Sequence, residues 1–431
     1  MLPIIQSRRV HALALLLCLA CCRLFSMTAT ALQPAFSWER VPRFWHAGNA
    51  SGPLNDTLVD FVASKGWAMA TIEKMQAQGA SPKSQQAEAK IIAAARQLKA
   101  ASPTLPVMFY LNSVMDWPQY DLHADLAQRP TLWLHDDNGQ PIVIRKPGCV
   151  PANASSCSVH VFDHAQPQMR ELFLGVLQRA KASNAIDGCF LDRGNTNATA
   201  GAGGAHGWRM STSRKAAWDA GHMEVLQLAG RLFSDGVVLG NNADFSGVNG
   251  RMIESFGNDF QDSWGGLLTD IALLQHEAKL GTFLEVHGES RPGLGPLPPG
   301  SSSKACTPDV FNITLAAFLV GAGERAFYAC TAGWTAQDGW DQWHHEYDLP
   351  LGNPFGVATH EMSSGRLAGE AGLAGDLPLH TFKRSFQHAR VELNVTGANA
   401  STAVTACVCW ESGWITGPEL PCQAICKADQ I

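Results

Sequence analysis

The sequence has few charged residues and no cluster of positive charge. Charged residues make up 16% of the 431 positions, acidic residues outnumber basic ones, and the formal net charge is −6. No Lys/Arg-rich run is present, so the composition excludes a basic nucleic-acid-binding protein and a protein held on a membrane by basic residues. Because 46% of the residues are hydrophobic, a disordered chain is excluded as well. The length is typical of one large domain or two medium ones.

Long hydrophobic runs are also missing, apart from one near the N-terminus. Arg8 and Arg9 precede an apolar run from Ala12 to Cys22, and Ala29-Thr30-Ala31 supplies small residues at a cleavage site. The run is about half of the ~20 residues that a membrane helix needs. We therefore interpret residues 1–31 as a signal peptide, with a signal anchor as the alternative. The expected location is outside the cell or in the lumen of a eukaryotic secretory pathway, without membrane contact after cleavage.

Seven Asn-x-Ser/Thr sequons support the same location and predict a glycoprotein. They begin at Asn49, Asn55, Asn153, Asn197, Asn312, Asn394 and Asn399.

Nine of the twelve cysteines follow the predicted signal peptide, and in an oxidising compartment their default state is the disulfide. Cys149 and Cys157 bracket a short loop, and Cys306 and Cys330 flank a predicted helix. Cys189 lies in an apolar strand pattern and is expected to be a buried thiol. Four more cluster at the C-terminus, where zinc binding is the alternative to disulfides: Cys407, Cys409, Cys422 and Cys426.

Short apolar runs alternate with amphipathic helical stretches from about residue 41 to residue 335. Eight runs bounded by Gly, Pro, Asn or Asp predict buried parallel strands: Phe44–Ala47, Trp67–Ile72, Val107–Leu111, Ile186–Leu191, Gly236–Gly240, Arg251–Ser255, Thr282–Val286 and Ala326–Cys330. Helical spacing between them predicts apolar helix faces, such as Ala87, Ile91, Ala94 and Leu98. Eight alternations favour a closed barrel over an open sheet, and the G-x-G-x-x-G turn of a dinucleotide-binding sheet is absent.

The predicted fold class is therefore α/β, a (β/α)8 TIM barrel over residues 32–375. Residues 376–431 are predicted to form a small β appendage with a Cys-rich tail, packed on the end of the barrel. Within it, His380–Asn394 has the pattern of two short strands.

Carboxylates and amides recur where the predicted strands end, which is where the active site of such a barrel lies. Asp192 follows the fourth strand and Glu254 lies in the sixth, and we predict that these two are catalytic. We predict that ten further residues bind the substrate: Trp45, His46, Glu73, Tyr110, Asn112, Arg193, Asn241, Glu285, His287 and Trp334.

Paired carboxyl groups fit the chemistry of glycoside hydrolysis. One carboxylic acid protonates the leaving oxygen, while the other attacks the anomeric carbon or activates water. Tryptophan (13) outnumbers tyrosine (4), and its rings offer flat apolar faces to a sugar. Alternatively, Asp192 caps a helix or pairs with Arg193, and His222 is interpreted as a helix–sheet contact. No HExxH or G-x-S-x-G motif is present, so we expect no metal, no cofactor and no serine nucleophile.

The chain resembles the hypothetical glycosyl hydrolase family 15 over roughly residues 41–396. The resemblance rests on these segments: Phe44-Trp45-His46, Ile186 to Asp192, Ile253-Glu254-Ser255-Phe256, Leu349 to Pro354, Phe382 to Phe386 and Val391 to Asn394. It implies a (β/α)8 barrel with glycosidase activity. The placement of the two carboxylates is also similar to that in α-galactosidase-type barrels, which implies Asp192 as the nucleophile and Glu254 as the acid/base.

The sequence thus predicts a secreted, metal-independent glycoside hydrolase that acts on a polysaccharide or a glycan. The principal alternative is a carbohydrate-binding barrel that keeps its tryptophan platforms but has no catalysis. A polysaccharide lyase or a transglycosidase is a third hypothesis. All three have a carbohydrate as the partner, and none involves nucleic acid.

Overall fold

The computed structural model describes residues 32–78, 86–145, 158–194, 208–241, 248–257, 265–288, 306–365, 377–396, 403–410 and 423–427. The predicted signal peptide, Cys149, Cys157 and Cys422 lie outside these ranges, as do the sequons at Asn153, Asn197 and Asn399. Within the described residues, no helix is long and apolar enough to cross a membrane.

Sixteen strands lie in the described ranges and are numbered in chain order. They are β1 (Trp45–Ala47), β2 (Ala70–Ile72), β3 (Val107–Asn112), β4 (Met115–Asp116), β5 (Val143–Arg145), β6 (Ser158–Val161), β7 (Gly188–Asp192), β8 (Val238–Asn241), β9 (Gly250–Phe256), β10 (Phe283–Gly288), β11 (Ala326–Cys330), β12 (Thr359–Gly365), β13 (Leu377–Ser385), β14 (Ala389–Thr396), β15 (Ala403–Trp410) and β16 (Gln423–Lys427).

Eight of these strands form one parallel sheet in the order β1-β2-β3-β7-β8-β9-β10-β11. The last strand returns to the first, because the amide of Tyr328 donates to the carbonyl of Pro42 at 2.9 Å and Arg43 forms a parallel bridge with Tyr328. The sheet is therefore nearly closed into a barrel. All eight predicted strands are confirmed, with ends within three residues of the prediction.

Seven helices of the described ranges surround the barrel or connect its strands. They are α1 (Asp56–Ser64), α2 (Ala87–Ala101), α3 (Asp121–Ala127), α4 (Pro167–Ala182), α5 (Thr212–Leu232), α6 (Gly265–Leu280) and α7 (Pro308–Gly321). Side-chain caps explain where two of them begin: Asn55 Oδ1 accepts from the amide of Leu58, and Thr307 Oγ1 accepts from that of Val310. The predicted apolar face of α2 is confirmed, since Ile91, Ala94 and Leu98 are at most 1% exposed.

A small sheet that the sequence did not reveal follows β3. β4, β6 and β5 pair antiparallel in that order, and Val114, Leu134 and Val159 form its core with Trp218 of α5. Its strands have only two to four residues, which is too short for a period-two pattern to stand out.

The C-terminal sheet is larger than predicted. β12 to β16 pair antiparallel in chain order, and β12 begins at Thr359, ahead of the predicted boundary at residue 376. Val391, Leu393 and Val395 of β14 are buried against α7, so the sheet lies on the flank of the barrel rather than on its end. Arg384 fastens the contact, because its Nη1 donates to the carbonyl of Leu319 at 2.8 Å.

The cysteines whose side chains the structure describes have the predicted states, disulfides and one buried thiol. Cys306 and Cys330 form a disulfide with a Cα–Cα distance of 5.7 Å, and Cys407 and Cys409 are disulfide-bonded too. Cys189 is a fully buried free thiol, and burial raises its pKa. No group of three or more metal-ligating side chains occurs in the described part of the chain.

Candidate active site

A cavity of about 110 Å³ opens at the carboxyl ends of the barrel strands. Its lining comes from β1, β3, β7, β8 and β9 and from the segments that follow β2 and β11. The lining residues are His46, Glu73, Lys74, Tyr110, Phe190, Asp192, Asn241, Glu254 and Trp334. The two predicted catalytic carboxylates thus face one cavity, although they are 62 residues apart in the chain.

Asp192 stands at the end of β7 among hydrogen-bond donors. Its Oδ2 accepts from Nδ2 of Asn112 at 2.7 Å and from the hydroxyl of Tyr110, and its Oδ1 accepts from Nδ2 of Asn241 at 3.0 Å. Burial by itself raises the pKa of Asp192. The charge of Lys74 and the hydrogen bonds from Tyr110 and Asn241 outweigh burial, so the pKa lies below the usual 3.8. The carboxylate is therefore ionised at neutral pH.

Asn241 joins the two carboxylates. Its Nδ2 donates to Oε2 of Glu254 at 2.6 Å as well as to Oδ1 of Asp192 at 3.0 Å. An amide nitrogen carries two hydrogens, so one group serves both acceptors. The two carboxylate oxygens can therefore be no more than 5.6 Å apart, the sum of these two distances.

Tyr110 and Lys74 complete the surroundings of Asp192. Burial, followed by the negative charges of Asp192 and Glu73, raises the pKa of Tyr110 well above 10, so its hydroxyl stays neutral and donates. Lys74 Nζ donates to the Tyr110 hydroxyl at 3.1 Å, pairs with Glu73, and lies 4.4 Å from the centroid of the Tyr110 ring. A partly buried cation near the carboxylate favours its charged form.

His46 rests on a carboxylate in the interior of the barrel. Glu285 has no exposed surface; its Oε2 lies 3.2 Å from Nδ1 of His46, and its Oε1 accepts from Oγ1 of Thr71. Glu285 therefore orients His46 from below and does not line the cavity itself.

Five of the ten predicted substrate-binding residues line the cavity: His46, Glu73, Tyr110, Asn241 and Trp334. The other five do not. Trp45 is fully buried and donates from Nε1 to the carbonyl of Trp340, because strand side chains alternate and His46 takes the inner position. Glu285 lies beneath His46, as described above.

The remaining three support the site from its edge. Asn112 holds Asp192 and accepts from the amides of Val114 and Met115 through its Oδ1. Arg193 adopts a φ of +57° directly after Asp192. His287 is fully buried, with Nε2 2.7 Å from Oγ1 of Thr331 and its ring 4.5 Å from that of Trp334.

Two lining residues, Lys74 and Phe190, were missed by the sequence reasoning. Phe190 could have been found, because it precedes Asp192 by two positions and therefore shares its face of β7. Lys74 directly follows Glu73 at the end of β2, but a lysine at a strand end carries no signal in one sequence that separates it from a surface charge.

A near-closed (β/α)8 barrel with two facing carboxyl groups at its carboxyl end has the layout that glycoside hydrolysis requires. The chain belongs to the hypothetical glycosyl hydrolase family 15, whose model matches residues 99–390. The match includes Asp192, Asn241 and Glu254 and begins after His46 and Lys74. By family, the protein is a glycosidase.

Several solved structures are similar in fold at low identity. The glycoside hydrolase domain of PelA from Pseudomonas aeruginosa is 15% identical, with a TM-score of 0.39, over 70% of this chain and 97% of that one. The galactosidase domain of the α-galactosidase-sucrose kinase AgaSK is 12% identical, with a TM-score of 0.44, over 89% of this chain and 48% of that one. A xylosidase from Aspergillus niger is 16% identical, with a TM-score of 0.44, over 74% of this chain and 48% of that one. The chain thus spans about half the length of the latter two. No curated protein sequence matches it.

Proposed function

We propose that this glycosidase hydrolyses O-glycosidic bonds of a polysaccharide or a glycan with Asp192 as the nucleophile and Glu254 as the general acid/base. The observation that carries the proposal is the amide of Asn241, which donates to both carboxylates and holds them across one cavity. Glycosidases with a covalent intermediate have carboxyl groups about 5–5.5 Å apart, whereas inverting enzymes need about 6.5–9.5 Å. The limit of 5.6 Å applies to one oxygen pair, Oδ1 of Asp192 and Oε2 of Glu254, and it is compatible with the shorter separation. We therefore propose that the configuration is retained.

The roles follow from the different surroundings of the two carboxylates. Asp192 accepts three side-chain hydrogen bonds and has a lowered pKa, so it remains an anion that can attack the anomeric carbon. Glu254 shares the Asn241 donor with Asp192 and is partly buried at the cavity wall. A carboxyl group so placed can protonate the leaving oxygen and then deprotonate the incoming water.

The aromatic wall of the cavity fits a sugar ring. Trp334 is partly exposed at the cavity, and its ring lies 4.8 Å from that of His46 and 4.5 Å from that of His287. Packed against these two tilted rings, Trp334 has little freedom to turn, so it offers a flat apolar face to a pyranose.

The first test is a screen of the purified protein against chromogenic glycosides and polysaccharides, followed by Asp192→Asn and Glu254→Gln on the substrate found. Both variants should fold and lose activity by about 10³-fold or more. Azide should restore turnover of an activated glycoside to Glu254→Gln. Glu361→Gln, at an exposed position of β12, is the matched control and should keep full activity.

The outcomes separate the alternatives. Activity retained in Asp192→Asn would disprove its role as nucleophile, and NMR of the first product anomer would contradict a covalent mechanism if the configuration were inverted. An unsaturated sugar among the products would identify a lyase. Binding of a polysaccharide without any cleavage, lost in Trp334→Ala, would identify a carbohydrate-binding barrel.

We also propose that the protein is secreted and glycosylated, with Asn55 as the best acceptor among the described sequons. Asn55 is exposed, and it caps α1 through Oδ1, which leaves Nδ2 for the glycan. Asn49 is only 6% exposed, and its Nδ2 donates to the carbonyl of Pro53. Mass spectrometry of protein collected from a eukaryotic culture medium should find a glycan on Asn55 and none on Asn49. Retention of the protein inside the cell would contradict secretion.

A further inference from the structure

Behind Asp192, on the side away from the cavity, lies a buried polar cluster that the proposed mechanism does not use. It consists of Ser113, directly after β3, His164, after β6, and His222 in α5. All three are fully buried. The main-chain amide and the hydroxyl of Ser113 both donate to the carbonyl oxygen of Asp192, at 2.8 and 2.9 Å.

The two histidines both contact Ser113. His164 Nε2 lies 2.6 Å from the carbonyl oxygen of Ser113, and His222 Nε2 lies 2.9 Å from its Oγ. The rings are 5.3 Å apart, and that of His222 is stacked on Trp218 at 5.0 Å. In both histidines Nδ1 is buried without a hydrogen-bond partner in the described structure.

These contacts decide which ring nitrogens carry a proton. A carbonyl oxygen only accepts, so His164 must donate from Nε2. In a neutral imidazole, Nδ1 of His164 then carries no hydrogen. The Ser113 hydroxyl donates its one hydrogen to the carbonyl oxygen of Asp192. Toward His222 the hydroxyl can therefore only accept, so His222 also donates from Nε2. The opposite tautomer of His222 would lose the bond from the hydroxyl to Asp192 and would bury an N–H at Nδ1 without a partner, which is rare in folded proteins.

Both imidazoles are neutral at neutral pH. Burial lowers the pKa of His164 to about 4, and burial together with the nearby His164 lowers the pKa of His222 well below 6.5. The charged group that contacts this pair is Arg170, whose Nη1 donates to the carbonyl of His164 at 2.8 Å. Its charge opposes protonation of His164.

The carbonyl held by Ser113 belongs to a strained peptide unit. Arg193, the next residue, has a φ of +57°, which is unfavourable for a residue with a side chain. Such backbone persists where surrounding contacts over-determine it. Two hydrogen bonds on one carbonyl oxygen meet that requirement, and they fix the direction in which the Asp192 side chain leaves β7.

We propose that Ser113, His164 and His222 are positioning residues that hold the main chain of Asp192, with both histidines as Nε2–H tautomers that donate to Ser113. None of the three touches the cavity, and all act through Asp192. The consequence for the reaction rests on the proposed role of Asp192 as nucleophile. The hydrogen-bond arrangement does not, and it can be tested separately.

The arrangement is tested by NMR of the full-length protein, with ring nitrogens correlated to their carbon-bound protons. Both histidines should be neutral Nε2–H tautomers at pH 7, with slowly exchanging Nε2 protons. In Ser113→Ala, His164 should keep its slow proton because it donates to the main chain, whereas the His222 proton should exchange rapidly. An Nδ1–H tautomer for His222, or an unchanged exchange rate in Ser113→Ala, would overturn the proposal.

The effect on catalysis is tested with the substrate from the glycoside screen. Ser113→Ala and His222→Leu should lower kcat by about 100-fold, as expected for a small displacement of a reacting group, with KM within about twofold. His222→Gln keeps a donor and should recover most of the rate. Thr314→Val, which removes another fully buried hydroxyl away from the cavity, is the control for general loosening of the core.

The combined outcomes are decisive. If Thr314→Val lowers kcat as much as Ser113→Ala does, or if His222→Gln does not restore the rate, the three residues contribute only to core packing and the proposal is wrong. If the NMR signatures are as expected but no glycoside is cleaved, the proposed function fails while the hydrogen-bond arrangement stands.

Discussion

The side-chain nitrogen of Asn241 lies 2.6 Å from Oε2 of Glu254. The same nitrogen also donates to Asp192, so it fixes the spacing of the two carboxylates. Asn241→Ala should therefore reduce kcat by about 100-fold, because both carboxylates lose their common donor and their relative geometry. Asn241→Asp should be worse, since a third carboxylate raises the pKa of its neighbours. Steady-state kinetics on the substrate found in the screen measures both effects. Asn138→Ala, in an exposed loop, is the control, and an active Asn241→Asp would contradict the pairing.

Substitution of Lys74 should shift the acidic limb of the pH profile of kcat/KM, because the charge of Lys74 lowers the pKa of Asp192. Burial alone raises the pKa of Asp192, and the charge of Lys74 is the first of the contributions that lower it. Lys74→Met should therefore raise that pKa, because a nearby opposite charge is lost. Since the reaction needs ionised Asp192, activity is lost as pH falls through its pKa, so the acidic limb of kcat/KM moves to higher pH.

Lys74→Arg keeps the charge and should leave the acidic limb near its original position. A profile for Lys74→Met that falls in amplitude without any shift in pH would assign Lys74 to substrate binding alone.

The lowered pKa of His164 predicts how the free energy of unfolding depends on pH. Its pKa is about 4 in the folded protein and about 6.5 when unfolded, so the native state favours the neutral form. Stability from this group is complete above pH 6.5 and is lost as pH falls toward 4. The unfolding free energy should therefore decrease by about 2 kcal/mol between pH 7 and pH 5 on account of His164.

Urea unfolding of the wild type and of His164→Gln at both pH values measures this contribution. The variant should be less stable at pH 7, and the difference should shrink at pH 5. A constant difference would show that His164 does not titrate in this range on unfolding.

Gly221 allows α5 to approach the segment that carries His164. A Cβ at this position would lie 1.9 Å from the carbonyl oxygen of His164, a main-chain atom that cannot turn away. Gly221→Ala should therefore cost about 1–3 kcal/mol or more of stability, although alanine favours a helix. Gly175 in α4 is the matched control, because a Cβ there meets nothing closer than a side-chain nitrogen of Arg179 at 3.4 Å.

Gly175→Ala should accordingly be neutral or stabilising by up to about 1 kcal/mol. Equal thermal midpoints for the two variants would mean that the helix adjusts its position at little cost.

The strands and the two catalytic candidates were predictable because their signals are local. A buried parallel strand is a continuous apolar run, and Asp192 interrupts one such run at its end. β4, β5 and β6 were not predictable, since strands this short depend on neighbours rather than on their own pattern. Trp45 was placed wrongly because it was predicted to face the cavity together with its neighbour His46, whereas side chains alternate along a strand and only one of the two can point inward.

By itself the sequence determined the eight β/α units, the family, and the carboxylates at the ends of the fourth and sixth barrel strands, because each depends on residues close together in the chain. Only the tertiary structure decided that Asn241 serves both Asp192 and Glu254 and that Lys74 lines the same cavity. It also decided that Nε2 of His222 lies within hydrogen-bond distance of the Ser113 hydroxyl, 109 residues away. The side-by-side order of β7, β8 and β9 in the sheet and the packing of α5 bring residues that are distant in the chain within hydrogen-bond range. Hydrogen bonds form over about 3 Å of space regardless of separation along the chain.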